Sequence, residues 1–152
     1  MNELDKHINK FRVIIHDLID LSPTLETNVR LGGSMILKTH GLNFSRPTGD
    51  LDVIVTNPSQ KQKDYLRALR FFNIEDDYFN NDTNYKFKKD NYILNILVVE
   101  NYNEKITPTY YMFEGRHYGI VSIDEIIAAK KRYGRSKDVH DFLMLKNENF
   151  NM

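Results

Sequence analysis

Two aspartates stand two residues apart in the run GDLDVIV, Asp50 and Asp52, at the polar end of a β-branched, apolar segment. Along a strand, side chains at i and i+2 leave the same face, about 6 to 7 Å apart, so both carboxylates aim at one spot. At an effective dielectric of about 20, repulsion across that gap is on the order of 2 kcal/mol. A divalent cation between the acids removes the penalty. Hard carboxylate oxygens suit Mg²⁺ or Mn²⁺, and Mg²⁺ keeps several waters and completes its shell with substrate phosphates. Ile54 follows on the same face, which places the pair at the rim of a cleft rather than on an open polar surface. An isolated Asp-x-Asp is more often a solvated strand face, so the chemistry needs a second group.

That group is the turn Gly32-Gly33-Ser34 ahead of SMILKTH. At a helix start it offers backbone N–H groups and a hydroxyl where a phosphate can sit. Arg46 and Thr48 lie immediately before the acids and have the planar fork and the hydroxyl to reach a triphosphate. Their plainer uses are a turn, a surface charge and a turn cap.

The elements that must position these residues follow from hydrophobic periodicity. Leu4, Ile8, Phe11, Ile15 and Leu18 recur at steps of four and three, predicting one amphipathic helix within residues 1–22 that ends at Ser22-Pro23. A short strand over Asn28 to Leu31 leads through the glycine turn into a helix, with Gly41 as its stop. DLDVIV is a strand, closed by Asn57-Pro58-Ser59, and Gln60 to Phe72 is a helix carrying Tyr65, Leu66, Leu69 and Phe72. EDDYFNNDTN is expected as a polar loop or hairpin tip, YILNILVVE as a second strong strand, and TPTYYMF and HYGIV as one or two more. Ser122 with Glu125 forms a capping box for a helix bearing IIAAKKRY, and a last helix covers roughly Lys137 to Lys146. The order predicts an α/β or α+β domain: a small mixed β-sheet flanked by helices, with C-terminal helices.

Length and composition bound the function. A chain of 152 residues is one domain's worth, and its 41% hydrophobic and 28% charged residues fit a packed core. Lys and Arg number 21, Asp and Glu 21, so no overall field draws nucleic acid or an anionic membrane. The absence of Cys excludes a disulfide framework, a thiol nucleophile and Cys-based zinc sites. The five His residues show no metal-site spacing, and no Ser-His-Asp arrangement can be argued. The N-terminus has neither a leader pattern nor a long apolar span, so the expectation is a cytoplasmic protein without membrane partners.

Taken together, LGGSMILKTHG and then RPTGDLDVIV resemble the nucleotidyltransferase superfamily that shares the polymerase-beta palm, in which a GS turn and helix precede a strand bearing Asp-x-Asp. The segment IIAAKKRYGRSKDVHDF is similar to the C-terminal motif of the abortive-infection AbiEii/AbiGii toxin branch and its uncharacterised relatives. The resemblance implies a single nucleotidyltransferase-fold domain over residues 1–152, with a palm-like core at 28–121 and C-terminal helices at 122–147. It implies that Asp50 and Asp52 bind Mg²⁺ or Mn²⁺, and that Gly32, Gly33 and Ser34 contact nucleotide phosphates. It also implies that Lys130, Arg135, Lys137, Asp138 and Asp141 line the opposite wall.

One position departs from that pattern. The superfamily usually has a third carboxylate on a later strand, where LNILVVE offers Asn95. An amide can ligate a cation through its carbonyl oxygen but adds no negative charge and takes no proton. Asp90 and Glu100 are of opposite strand parity to Asn95 and would need a bulge to replace it. Two functions are therefore expected. One is metal-dependent transfer of a nucleoside monophosphate from a nucleoside triphosphate to an acceptor hydroxyl on RNA, protein or a small molecule. The other is a catalytically inactive nucleotide-binding or protein-interaction module, with a protein partner in a toxin-antitoxin or phage-defence pair.

Overall fold

The apolar, β-branched runs DLDVIVT and YILNILVV form the two central strands of a mixed sheet. A computed structural model of the protein describes residues 2–24, 27–41, 49–72, 83–104, 106 and 108–126. Along the chain the elements are α1 (Glu3–Lys10), α2 (Arg12–Asp20), β1 (Val29–Gly32), α3 (Ser34–Thr39), β2 (Asp50–Thr56), α4 (Gln60–Phe72), β3 (Asn84–Lys89), β4 (Tyr92–Val99), β5 (Tyr110–Phe113) and β6 (Arg116–Gly119). A four-stranded sheet runs in the order β1-β2-β4-β3, with β2 and β4 parallel and the outer pairs antiparallel. The hairpin β5-β6 leads back to it, since the Val121 amide donates to the Leu31 carbonyl at 2.9 Å. The architecture is α+β with a small mixed sheet and a few helices.

One sheet face carries the core. Val29, Leu31, Leu51, Val53, Val55, Tyr85, Phe87, Leu94, Ile96 and Val98 are buried there with Leu4, Ile8, Phe11, Ile15 and Leu18 of the N-terminal stripe and Met35, Ile36, Leu37 and Leu66 of α3 and α4. The opposite face, by strand alternation, holds Arg30 and Gly32, then Asp50, Asp52 and Ile54, then Ile93, Asn95 and Leu97, then Asn84, Lys86 and Lys88.

Polar networks fix the helices on the core face. Gln62 is fully buried: its amide donates to the Leu18 carbonyl at 2.9 Å and to Asn28 Oδ1 at 2.8 Å, and its carbonyl accepts from Asn28 Nδ2 and the Ser59 amide. Ser59 Oγ accepts from the Gln62 amide at 3.1 Å, completing a capping box that opens α4. Gly41, at φ +89°, ends α3 as expected. The Ser122–Glu125 box is also present, with the Glu125 amide donating to Ser122 Oγ at 3.2 Å.

Three expectations need correction. The N-terminal stripe is buried throughout, but the backbone leaves helical geometry at Phe11 (φ −110°, ψ 22°), giving two helices rather than one. Periodicity reports which face is buried and is blind to such a break. The first short strand is Val29–Gly32, one residue later than Asn28 to Leu31, although the Asn28 carbonyl still accepts from the Thr56 amide at 3.0 Å. The loop EDDYFNNDTN does not run to its last residue: Asn84 opens β3, an unforeseen strand joined to β4 by a two-residue turn with Asp90 and Asn91 at φ +50° and +73°. No helix among the described residues is long and apolar enough to cross a membrane.

The β5-β6 hairpin is clamped to α2 by His16. Arg116 donates to His16 Nδ1 at 3.3 Å, which leaves Nε2–H to donate to the Tyr118 hydroxyl at 2.7 Å. Burial, then the charges of Arg116 and Arg12, hold the imidazole below its usual pKa, opposed by Asp20 and Asp17. The folded protein thus takes up this proton less readily than the unfolded chain. The His16 contribution to stability is complete above the ordinary histidine range and fades as pH falls through that range to the lowered value. Urea unfolding between about pH 7.5 and about pH 5 is expected to show a steeper loss of midpoint in the wild type than in His16→Gln.

Candidate functional site

The parallel register sets Asp52 opposite Asn95 and Asp50 opposite Ile93, while antiparallel β1 sets Gly32 opposite Asp52. One row of cross-strand neighbours, Gly32, Asp52, Asn95 and Lys86, therefore spans the sheet. Within it Asn95 Nδ2 donates to Asp50 Oδ2 at 3.0 Å and to Asp52 Oδ1 at 3.2 Å. The three side chains converge, each half-buried.

The glycine turn closes against the same acid. Gly33 has φ +80°, in the left-handed region, and a Cβ there would run into Asp52 Oδ2. A Cβ on Gly32 would stand 2.9 Å from Ile54 Cδ1 and 3.2 Å from Val121 Cγ2. Gly33 is thus required by its backbone and its approach to the carboxylate, whereas a side chain at Gly32 would press on the movable ends of Ile54 and Val121. Ser34 follows at the start of α3, which has six residues and so contributes only a short run of aligned peptide dipoles.

Arg30, two residues before Gly32, is buried on this side of the sheet. Its guanidinium donates to both Glu125 oxygens at 2.9 and 2.8 Å, and the Tyr102 hydroxyl donates to Glu125 Oε2 at 3.1 Å. Burial first, and then the Glu125 charge, push the Tyr102 pKa upward, so the phenol stays protonated and able to donate. The network anchors the start of the helix at 123 to β1, beside the acid pair.

Of the residues singled out from the sequence, Asp50, Asp52, Asn95, Gly32 and Gly33 come together, and Ser34 follows Gly33 at the start of α3. Arg46, Thr48, Lys130, Arg135, Lys137, Asp138 and Asp141 lie outside the described residues. Asp90 and Glu100 are elsewhere: Asp90 pairs with Lys10 at 2.8 Å and Glu100 pairs with Lys63, both on the helix-covered side. Sequence reasoning missed Lys86 and Lys88, which β3 places on the acid-bearing face across β4, about 10 Å from the β2 column by strand spacing. Their signal was the alternation in NYKFKK ahead of a turn-forming Asp-Asn.

Among the described residues, no group of three or more His, Asp or Glu side chains forms a metal-binding cluster. The donor set is two carboxylates and one amide. Carboxylate and amide-carbonyl oxygens are of the type a hard divalent cation takes, but here the amide turns its Nδ2 hydrogens, not its carbonyl, toward the two acids.

Comparison with protein-family models, curated proteins and solved structures finds no match.

Two substitutions test this construction. Gly33→Ala is expected to destabilise the protein by about 1 to 3 kcal/mol from the positive-φ, extended-ψ backbone alone, with a further loss from displacing Asp52. Glu125→Ala strands the buried Arg30 charge and is expected to cost about 3 kcal/mol. Both are read from chemical unfolding midpoints against the wild type.

Proposed function

We propose that this chain is a nucleotidyltransferase-like protein of palm type, transferring a nucleoside monophosphate from a nucleoside triphosphate to an acceptor hydroxyl. The observation that carries the reading is the convergence of Asp50, Asp52 and Asn95 beside the constrained turn at Gly33. Asp50 and Asp52 would hold Mg²⁺ or Mn²⁺, which when bound neutralises charge developing on phosphate oxygens. Gly32, Gly33 and Ser34 would let triphosphate oxygens approach the backbone closely. Arg46 and Thr48 would reach the triphosphate, the basic residues Lys130, Arg135 and Lys137 would hold the pyrophosphate, and the resemblance adds Asp138 and Asp141 to the nucleotide-binding set.

In the transfer, the acceptor oxygen forms a bond to the α-phosphorus as the bond from that phosphorus to the bridging oxygen breaks. The electron pair leaves with pyrophosphate. The hydroxyl proton passes to a carboxylate of the pair or to water, because the Asn95 amide cannot accept it. Without a third carboxylate, turnover is expected to be slow.

Asn95 itself favours a second reading, a module that retains nucleotide affinity without transfer and serves a protein partner in a toxin-antitoxin or phage-defence pair. Incubation with Mg²⁺, α-labelled nucleoside triphosphates, and cellular RNA and protein separates the two. Transfer of label that disappears in Asp50→Ala is the expected outcome for the enzyme. Nucleotide binding with no labelled product would establish the module instead.

A further inference from the structure

Two carboxylates facing one spot repel each other, and in this protein a neutral side chain already stands between them. Asn95 Nδ2 carries two hydrogens and has two acceptors, Asp50 Oδ2 at 3.0 Å and Asp52 Oδ1 at 3.2 Å. A primary amide can satisfy one carboxylate with each hydrogen, and a hydrogen bond to an ionised acceptor is about twice as strong as a neutral one. Asp52 has little room to turn away, since its other oxygen lies against Gly33. Asp50 and Asp52 are thereby drawn toward a common donor.

We infer that Asn95 is a positioning residue that takes the place of a cation: it pins the two acids together in the cation-free protein and must turn its amide before a cation can enter. With Nδ2 inward, its hydrogens face the position a positive charge would take. Rotation about the terminal side-chain torsion, a broad two-fold one, withdraws the N–H groups and presents Oδ1. Amide donor and cation compete for the same carboxylate oxygens. The protein is stable without a cation, at the expense of its affinity for one. An Asp at this position would reverse the balance, giving three acids that tolerate one another only when a cation is bound. The pinning stands on the hydrogen bonds alone, whereas the competition rests on the reading of the acid pair as a cation site.

Thermal unfolding of the full chain in a chelator, and then in millimolar Mg²⁺ or Mn²⁺, tests both parts. In the chelator, Asn95→Asp is expected to melt at least about 5 °C below the wild type, and Asn95→Leu also below it. The double variant Asp52→Asn with Asn95→Asp, which restores two acids and one amide, should recover most of the loss. In Mn²⁺, Asn95→Asp should gain more than the wild type does. An Asn95→Asp protein as stable as the wild type in the chelator would overturn the pinning. If the variants lose stability as expected but neither Mg²⁺ nor Mn²⁺ shifts any melting point, the pinning holds, and the competition falls together with the cation-site reading. Should Asn95→Asp fail to fold without cation, the side-chain ¹⁵N amide pair of Asn95 in the wild type decides. It should exchange slowly with solvent and shift in Asp52→Asn, and exchange as fast as exposed asparagines would overturn the inference.

Discussion

The parallel pairing of β2 with β4 is the constraint on which the site depends. It sets Asp52 beside Asn95, and with antiparallel β1 it brings the glycine turn to the same acid. A slip of one residue between these strands would carry one set of side chains to the other face. The slip is opposed by apolar residues, not by the site. Leu51, Val53, Val55, Leu94 and Ile96 are all fully buried against the helices. Turning either strand over would expose them and sink carboxylates into the core, a change worth many times the energy of any hydrogen bond between Asn95 and the acids. The polar row is therefore held in place from behind, by packing on the opposite face.

Charge is sorted on this molecule although its total is zero. The acids of β2 and the lysines of β3 occupy the same face, separated by the column Ile93, Asn95 and Leu97. The arrangement follows from alternation alone once the register is set. On the other face, the ion pairs Lys10–Asp90 and Lys63–Glu100 use charges at strand ends to tie helices to the sheet. Neither pair draws on the acid-bearing face, where the described charges near the acids are Arg30, held by Glu125, and the lysines of β3.

Much of this was legible in the sequence because the relevant signals are strong and short-ranged. Asp-x-Asp at the head of DLDVIV specified both a strand and a shared face, and the double glycine ahead of SMILKTH specified a turn into a helix. Asn95 was set with the acids by the resemblance, and parity set Asp90 and Glu100 apart from it. What parity could not supply was the direction of its amide, which depends on the exact register across β2 and β4. The strand at NYKFKK escaped because its turn uses Asp90-Asn91 in place of a glycine and because Lys-rich alternation reads as surface. The break at Phe11 left no trace, since a kinked pair of helices buries the same stripe as a straight one. Gln62 was invisible as a core residue: a polar side chain in the first turn of a helix is assigned to a cap or to solvent unless the groups it satisfies, Leu18, Asn28 and Ser59, are known to be adjacent.

The Arg30–Glu125 contact differs in kind from the other ion pairs. Its side chains are 5% and 17% exposed, whereas those of Lys6–Glu3 and Arg12–Glu114 are 36% to 52% exposed. Mobile ions attenuate interactions in proportion to their access, over about 8 Å at physiological ionic strength. Concentrated electrolyte would weaken the Arg12–Glu114 link between α2 and the β5-β6 turn far more than the tether between β1 and the segment after Ser122. The protein thus has a salt-sensitive side and a salt-indifferent one, and the acid pair sits beside the second.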